Sequence, residues 1–563
     1  MMKLRIFIVS LLLSIISFAG ISSIVYSIEE NTKIESLEKN GYYKVFDGLY
    51  VNYLPGVYKD DIEVEFVLLN PNDIIYYSLD HSNPTTLYNQ PIKINTKLLK
   101  DLKYYPLTTS VDAVLSNVSP DRCFSYKYID NIQNPKRYNL SDRINVITVK
   151  LVDDDGNEKV RTLTYLHNDY SLPVVSLSME YDEWFGNDGF YNKIREDISK
   201  RVNLEYFDST YNEYFYANSK IKLGGNWSLG YPQRTLNLNF NKDQNDVKND
   251  IPKTHIFGDR KQLGDTSKEL VKLTRFRLHN GGNCFEAYTG FNDAVLQNMM
   301  AYTNASTTAF RPCIAYLNGE YWGMYYLREH YSDTYFKDNY DVDKDTVAVY
   351  EYKGGFAFDD GDDSDFAAFF SELFAYLKKD FSDDTVYEEF INTYIDVDSL
   401  IDVFIAHSYA SNWDFVGNFN NLKMWRTTVV DPTNPYADGR LRFCLHDIDF
   451  AFTEYTNYLD KNHQYSYSKF EMFGKLLENE QFKARFYQRA EELLSTNLSA
   501  ANAYETLNEM ILMVKPYKLD AMVRWGDYDG MKVWLTNVKN TYNYFNYQEE
   551  NYLTTLRRTL SQY

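Results

Sequence analysis

Residues 412–425 read N-W-D-F-V-G-N-F-N-N-L-K-M-W, and residues 441–452 read L-R-F-C-L-H-D-I-D-F-A-F. These stretches are two halves of one pattern. Asp414 stands just ahead of the Asn420–Asn421 pair and a strand-like run. A second strand-like run ends on Asp447 and Asp449. Side chains at i and i+2 of a strand share a face, so these two carboxylates are expected to reach one ion. Asn420 or Asn421 adds a neutral oxygen ligand beside them. Either half alone is the composition of an ordinary polar turn. Together, around a short hairpin, they supply what phosphoryl transfer requires. One carboxylate orients an attacking hydroxyl, and another, with Asn, holds Mg²⁺ on the phosphates.

The bulk numbers limit the alternatives. A chain of 563 residues exceeds one typical core, so more than one domain is expected. With 44% hydrophobic and 24% charged residues the balance is globular rather than disordered. The 52 Tyr against 14 Pro favour strands over linkers. A net charge of −21 argues against a nucleic-acid partner, which needs a basic face. A nucleotide would need a locally positive, metal-assisted pocket. Cys123, Cys284, Cys313 and Cys444 form no C-x-x-C pair, which excludes a zinc ribbon or a disulfide framework by pattern. No H-E-x-x-H and no G-x-S-x-G occurs, which disfavours zinc hydrolysis and a serine nucleophile elbow.

Lys3 and Arg5 precede an apolar run over residues 6–26, the pattern of an export signal. The run is also long enough to anchor the chain in a membrane, so residues 1–27 are a cleaved signal peptide or a signal-anchor. In both cases the bulk of the chain lies outside the cytoplasm. Residues 28–42 are a polar linker. Period-two alternation from Ile62, a run at 74–79, and two runs flanking the turn at 153–157 place a small antiparallel sandwich over residues 43–170. A new domain starts with L-P-V-V-S-L-S-M at 172–179. In it, strands flank a Gly-rich loop at 224–230, a strand covers 272–278, and a helix runs through Asp293 to Met300. A hairpin turns on Asn318-Gly319, the strongest short hairpin signal. Helical periods cover 364–379, 397–408 and most of 468–560. The run D-D-G-D-D-S-D at 359–365 reads as a charged surface loop, and D-V-D-K-D at 341–345 as a solvated one. The fold class is therefore α+β, with an all-β module ahead and a helical C-terminal portion.

The blocks L-P-V-V-S-L-S, G-G-N-W-S-L-G-Y-P-Q-R-T-L, R-L-H-N-G-G-N, Y-L-N-G-E-Y-W-G-M-Y-Y-L-R-E, N-W-D…N-N and H-D-I-D-F-A-F resemble, in order, those of the CotH family of atypical spore-coat kinases. The likeness spans residues 172–460. The segment I-Y-Y-S-L-D-H-S-N-P-T resembles small β modules found beside chitobiases and other secreted enzymes, which implies an accessory module and no chemistry. The CotH resemblance implies an atypical bilobal kinase-like domain over 171–490, with 491–563 as a helical extension packed on it. It implies ATP with Mg²⁺ or Mn²⁺, and transfer to Ser or Thr of Ser-rich protein substrates in a spore coat or at a surface. Asp414 would be the catalytic base, with Asp447, Asn421 and Asp449 at the metal; the family spacing selects Asn421, while Asn418 stays open. Gly224, Gly225, Asn226 and Ser228 would approach the phosphates with backbone N–H groups, though the same loop also reads as a plain turn. Arg234 stands where the family usually carries Lys, and Glu286 or Asp293 would pair with it. Otherwise these acids simply favour a first helical turn. Glu329 would lie near the nucleotide, or else form a surface pair with Arg328. The rival expectation is a surface protein or adhesin that keeps the fold without catalysis. A weaker third is a carbohydrate-binding protein.

Overall fold

The computed structural model describes residues 30–94, 144–186, 189–193, 196–231, 233–240, 251–271, 273–282, 289–524 and 530–563. Residues 1–27, Cys123, Cys284 and Glu286 lie outside the described residues. Among the described residues no helix is long and apolar enough to cross a membrane.

The N-terminal module holds three small sheets around one core. The long hairpin Asn145–Val152 and Glu158–Leu166 forms the centre of a five-stranded sheet. Its turn closes because the Asp153 carboxylate accepts backbone N–H groups of Asp155 and Asn157, with Gly156 at φ +83°. Ile147, Val149, Leu151, Leu163 and Tyr165 point inward to meet Ile62, Val64 and Phe66. One pairing departs from the antiparallel expectation: Gly56–Val57 runs parallel to the end of the long hairpin.

Seven strands then close a barrel. They are β1 (Val174–Ser178), β2 (Lys200–Asp208), β3 (Glu213–Gly224), β4 (Thr235–Asn239), β5 (Arg275–His279), β6 (Phe310–Leu317) and β7 (Glu320–Arg328). The order is β1-β2-β3-β4-β5-β7-β6, and β6 closes the ring by pairing parallel with β1. The apolar run at β1 is continuous because both of its faces are covered. Val175 and Leu177 enter the barrel interior, while Val174 joins the main helical core. β6 and β7 turn on Asn318 and Gly319, both at positive φ, as the N-G signal predicts. The strand placed at 272–278 from sequence is β5, whose Phe276 and Leu278 face the core and whose Arg275, Arg277 and His279 face out.

Between β5 and β6, the helix α1 (Asn292–Met299) is buried on nearly every side. A second sheet, ordered β9-β8-β10-β11, comprises β8 (Val347–Tyr352), β9 (Phe356–Gly361), β10 (Leu422–Thr427) and β11 (Arg442–Cys444). The helix Val397–Tyr409 packs on β11, started by Asp396, whose carboxylate caps the Ser399 N–H at 3.1 Å. The helices Ala500–Arg524 and Gly530–Leu560 complete the core with Leu507, Trp534, Phe545 and Tyr552.

Two sequence expectations fail here. The acidic run at 359–365 lies at the surface, but residues 359–361 end strand β9 instead of forming a loop, and its carboxylates are paired. Asp359 pairs with Lys423, Asp360 with Arg275 at 3.0 Å, and Asp365 binds Arg426 through both oxygens at 2.8 Å. A charge run looks solvated until its counter-charges, here about 60 to 85 residues away, are brought beside it. The second failure is that β11 stops at Cys444, so Asp447 and Asp449 do not share a strand face. Asp447 has φ +53°, which breaks the pleat before either carboxylate is reached.

Candidate active site

The first half of the pattern forms a tight loop below the helix Val397–Tyr409. Ser411, Phe419 and Asn421 all take positive φ, unusual for residues other than glycine. Asn418 and Asn420 donate to one oxygen of Asp414 at 2.9 and 3.3 Å, and Asn421 donates to the other at 3.0 Å. The three Asn that sequence left as rival metal ligands thus share a task, fixing the Asp414 carboxylate. Asn421 also bonds the Asp414 carbonyl at 3.0 Å and is the most buried of the three, sitting directly before β10. Its Oδ1 remains the acceptor end of the amide.

The second half is pinned from several directions. The hydroxyl of Tyr331 donates to Leu445 O at 2.7 Å, Gln297 of α1 donates to the same carbonyl at 2.6 Å, and Asn292 donates to Ala451 O at 2.7 Å. Asn412 joins the halves, its side-chain amide donating to Asp447 O at 3.2 Å. Asp447 is half-buried, with protein packed closely around its carboxylate. Burial, then the carboxylates of Asp293 and Asp414, push its acid up to about 7 against the pull of Arg328 and Arg277. Asp449 is buried against Gly282, whose φ is +60° and where any Cβ would overlap the Asp449 carboxylate. Only glycine fits there.

The positive charges at this site are not the one the sequence nominated. Arg328, at the end of β7, pairs with Asp293 of α1, and the carboxylates of Asp293 and Asp449 outweigh burial in raising its pKa. Arg277 on β5 is pushed down to about 9 by burial and by Arg328, while Asp359, Asp293 and Asp447 hold it up, so it remains a cation at neutral pH. Burial and these arginines keep His279 neutral, and burial with Lys423 and the arginines does the same to His446. Arg277 and Arg328 were missed. The usable signal was the alternation R-F-R-L-H, which puts Arg275, Arg277 and His279 on one face of a strand.

Arg234 is a correction. It is 1% exposed, its guanidinium donates to the carbonyls of Leu229 (3.1 Å) and Tyr191, and it stacks on the Tyr191 ring. Its donors brace the Gly-rich loop instead of pointing toward phosphates, and Asp293 has Arg328 as its partner. Glu329 is also committed elsewhere: it is buried, accepting from Ala309 N and Asn339 Nδ2, both at 2.8 Å, and burial raises its acid to about 7. It forms no pair with Arg328, which bonds Asp293 instead. Gly224 ends β3, and Gly225 has φ +98° with Ser228 folded over it. The loop connects to the acid cluster through its exit: Asn280 bonds Gln233 O at 2.8 Å, Thr235 Oγ1 at 3.0 Å and Gly282 N at 3.0 Å.

Among the described residues no three His, Cys, Asp or Glu side chains converge as a ready-made metal cage. Mg²⁺ is ordinarily held by one or two carboxylates plus substrate phosphates and water, so the donor set of Asp447, Asp449 and Asn421 fits it in chemical type. The raised acid of Asp447 marks crowded carboxylates that a cation would relieve.

A family model described as Fn3 associated matches residues 67–165, in the N-terminal module. No curated protein matches the chain. A family model described as CotH kinase protein matches residues 221–552, more than half of the chain and inclusive of Arg277, Asp293, Arg328, Asp414, Asn421 and Asp447. The chain belongs to the CotH kinase protein family.

Proposed function

We propose that the chain transfers the γ-phosphoryl group of ATP to Ser or Thr hydroxyls of Ser-rich proteins, with Mg²⁺ or Mn²⁺ as the metal. The observation that carries this is the clustering of the Asp414, Asp447 and Asp293 carboxylates with the arginines Arg328 and Arg277. In this reading the barrel with α1 is the upper lobe of a kinase-like pair, and the helical portion is the lower. Asp414, fixed by three Asn amides, accepts the hydroxyl proton as the oxygen bonds phosphorus and the bridge to ADP breaks. Asp447 and Asp449, with Asn421 Oδ1, would hold the metal. Bound there, it neutralises charge on the phosphate oxygens. The Arg328–Asp293 pair replaces the expected pair at Arg234, tying β7 to α1 as a kinase Lys–Glu pair ties its strand and helix. Arg277 adds positive charge to a chain that is strongly acidic overall. An exported or anchored location, at a surface or in a spore coat, accompanies this reading.

The second reading, a non-catalytic surface protein, is favoured by one observation: the nominated nucleotide cation is spent on backbone carbonyls. Thermal melts with ATP and Mg²⁺ separate the two. A ligand that binds only the folded state at a hundred times its Kd adds about 2.7 kcal/mol of stability. A rise in melting temperature that requires both ATP and metal supports the kinase reading, and no rise favours the surface protein.

A further inference from the structure

A cleft of about 830 Å³ opens between the N-terminal module and the outer wall of the barrel, and none of its lining residues belongs to the acid cluster. Its volume lies toward the upper end of the roughly 300–1,000 Å³ of small-molecule sites, but its chemistry is unlike theirs. Such sites are mostly apolar. Here the deep walls carry hydroxyls: Thr148 and Thr162 from the module, and Ser178 from the end of β1. Ser178 is 2% exposed, and its Oγ has no hydrogen-bond partner among the described residues. The ring nitrogen Nδ1 of His81, also on the lining, has none either. Both residues belong to the wall of this polar cleft.

The barrel wall supplies directed donors. Asn203 Oδ1 accepts from the Tyr216 hydroxyl at 3.1 Å, which leaves its NH₂ end as donor. Arg201 is exposed and has no carboxylate within ion-pair distance among the described residues. Charge on the lining balances, with Glu158, Glu180 and Glu183 against Lys159, Arg161 and Arg201. A polyanion or polycation therefore gains nothing there. A neutral ligand whose every substituent both donates and accepts matches such a mixture of hydroxyls, amide, guanidinium and carboxylates. We infer that this cleft binds a neutral oligosaccharide, so that the chain holds a glycan-binding site between its module and its barrel.

The test is calorimetric titration of the full-length protein with chitohexaose, cellohexaose and maltohexaose, repeated on Arg201→Ala and Asn203→Ala. One of the sugars is expected to bind at a single site per chain. Each variant should weaken that binding about tenfold, the loss of one or two hydrogen bonds, while keeping the wild-type melting temperature and response to ATP. Failure of all three sugars to bind, or binding that both variants leave unchanged, overturns the inference. So does an octaserine peptide that binds in place of the sugars and is lost in the same variants. None of these outcomes depends on whether the acid cluster moves phosphate.

Discussion

Asp447 carries opposing demands. As an acid whose folded pKa of about 7 exceeds its ordinary 3.8, it holds a proton more firmly in the fold than in the open chain. The native state is therefore favoured most below the ordinary value, and stability falls as pH rises between the two values. Replacing it with Asn removes that loss. Asp447→Asn is expected to stabilise the metal-free protein by roughly 1–3 kcal/mol at pH 8 and to add little near pH 4, read from urea melts at both. The same variant should lose the stabilisation by ATP and metal. Arg234 tests the opposite case, a residue whose family position suggests chemistry while its contacts show bracing. Arg234→Lys should lower stability by about 1–3 kcal/mol without raising affinity for ATP, because one ammonium cannot serve both the Leu229 and Tyr191 carbonyls and stack on a ring. A tighter Kd for ATP in that variant would return Arg234 to the nucleotide site. At this scale the sequence pointed to side chains that the structure brings together, Asp414 with Asn418, Asn420 and Asn421 and with Asp447 nearby, because spacing and residue type are visible without coordinates. It could not disclose which cation faces them, since that depends on a barrel closing.

Elements decide which side chains meet. The buried Arg328–Asp293 pair spans β7 and α1, and Gln297 and Asn292 of α1 hold the segment carrying Asp447. Removing one partner of a buried pair leaves an uncompensated charge, at a cost of about 3–5 kcal/mol. Arg328→Met should show that loss in denaturant midpoints, and adding Asp293→Asn should recover part of it. Full additivity of the two changes would mean that the pair does not couple these elements. Hairpins at 153–157 and 318–319 were legible because their turn residues sit next to one another in the chain. The helices near 293–300, 364–379, 397–408 and 468–560 were legible from their period, whereas the short helices Asp333–Tyr340 and Asp384–Thr393 were not. The end of β11 was not, because Cys444, Leu445 and Ile448 are all fully buried and an apolar run does not announce where its backbone turns left-handed. The acidic run at 359–365 misled for a related reason, its arginine and lysine partners lying far off in the chain.

The whole molecule explains why so long a C-terminal portion accompanies the site. Trp534 donates to Thr289 O at 2.8 Å just ahead of α1, and the Tyr544 hydroxyl donates to Tyr409 O at 2.6 Å and bonds Ser411 Oγ at 2.8 Å beside the Asp414 loop. The last helix thus braces both the entry to α1 and the entry to the Asp414 loop, through contacts between residues 245 and 133 positions apart. Order of blocks along the sequence indicated the family, whereas closure of the seven-stranded barrel and its parallel β1–β6 seam needed coordinates. What the molecule does turns on whether these parts act together on a nucleotide. The most direct measurement is incorporation of labelled γ-phosphate into a Ser-rich peptide by the full-length protein with Mg²⁺ or Mn²⁺, set beside Asp414→Asn and Asp447→Asn. Metal-dependent labelling of peptide Ser that falls by a factor of about a hundred or more in both variants is the predicted result. Folded protein that labels nothing, or labelling that survives loss of either carboxylate, would contradict it.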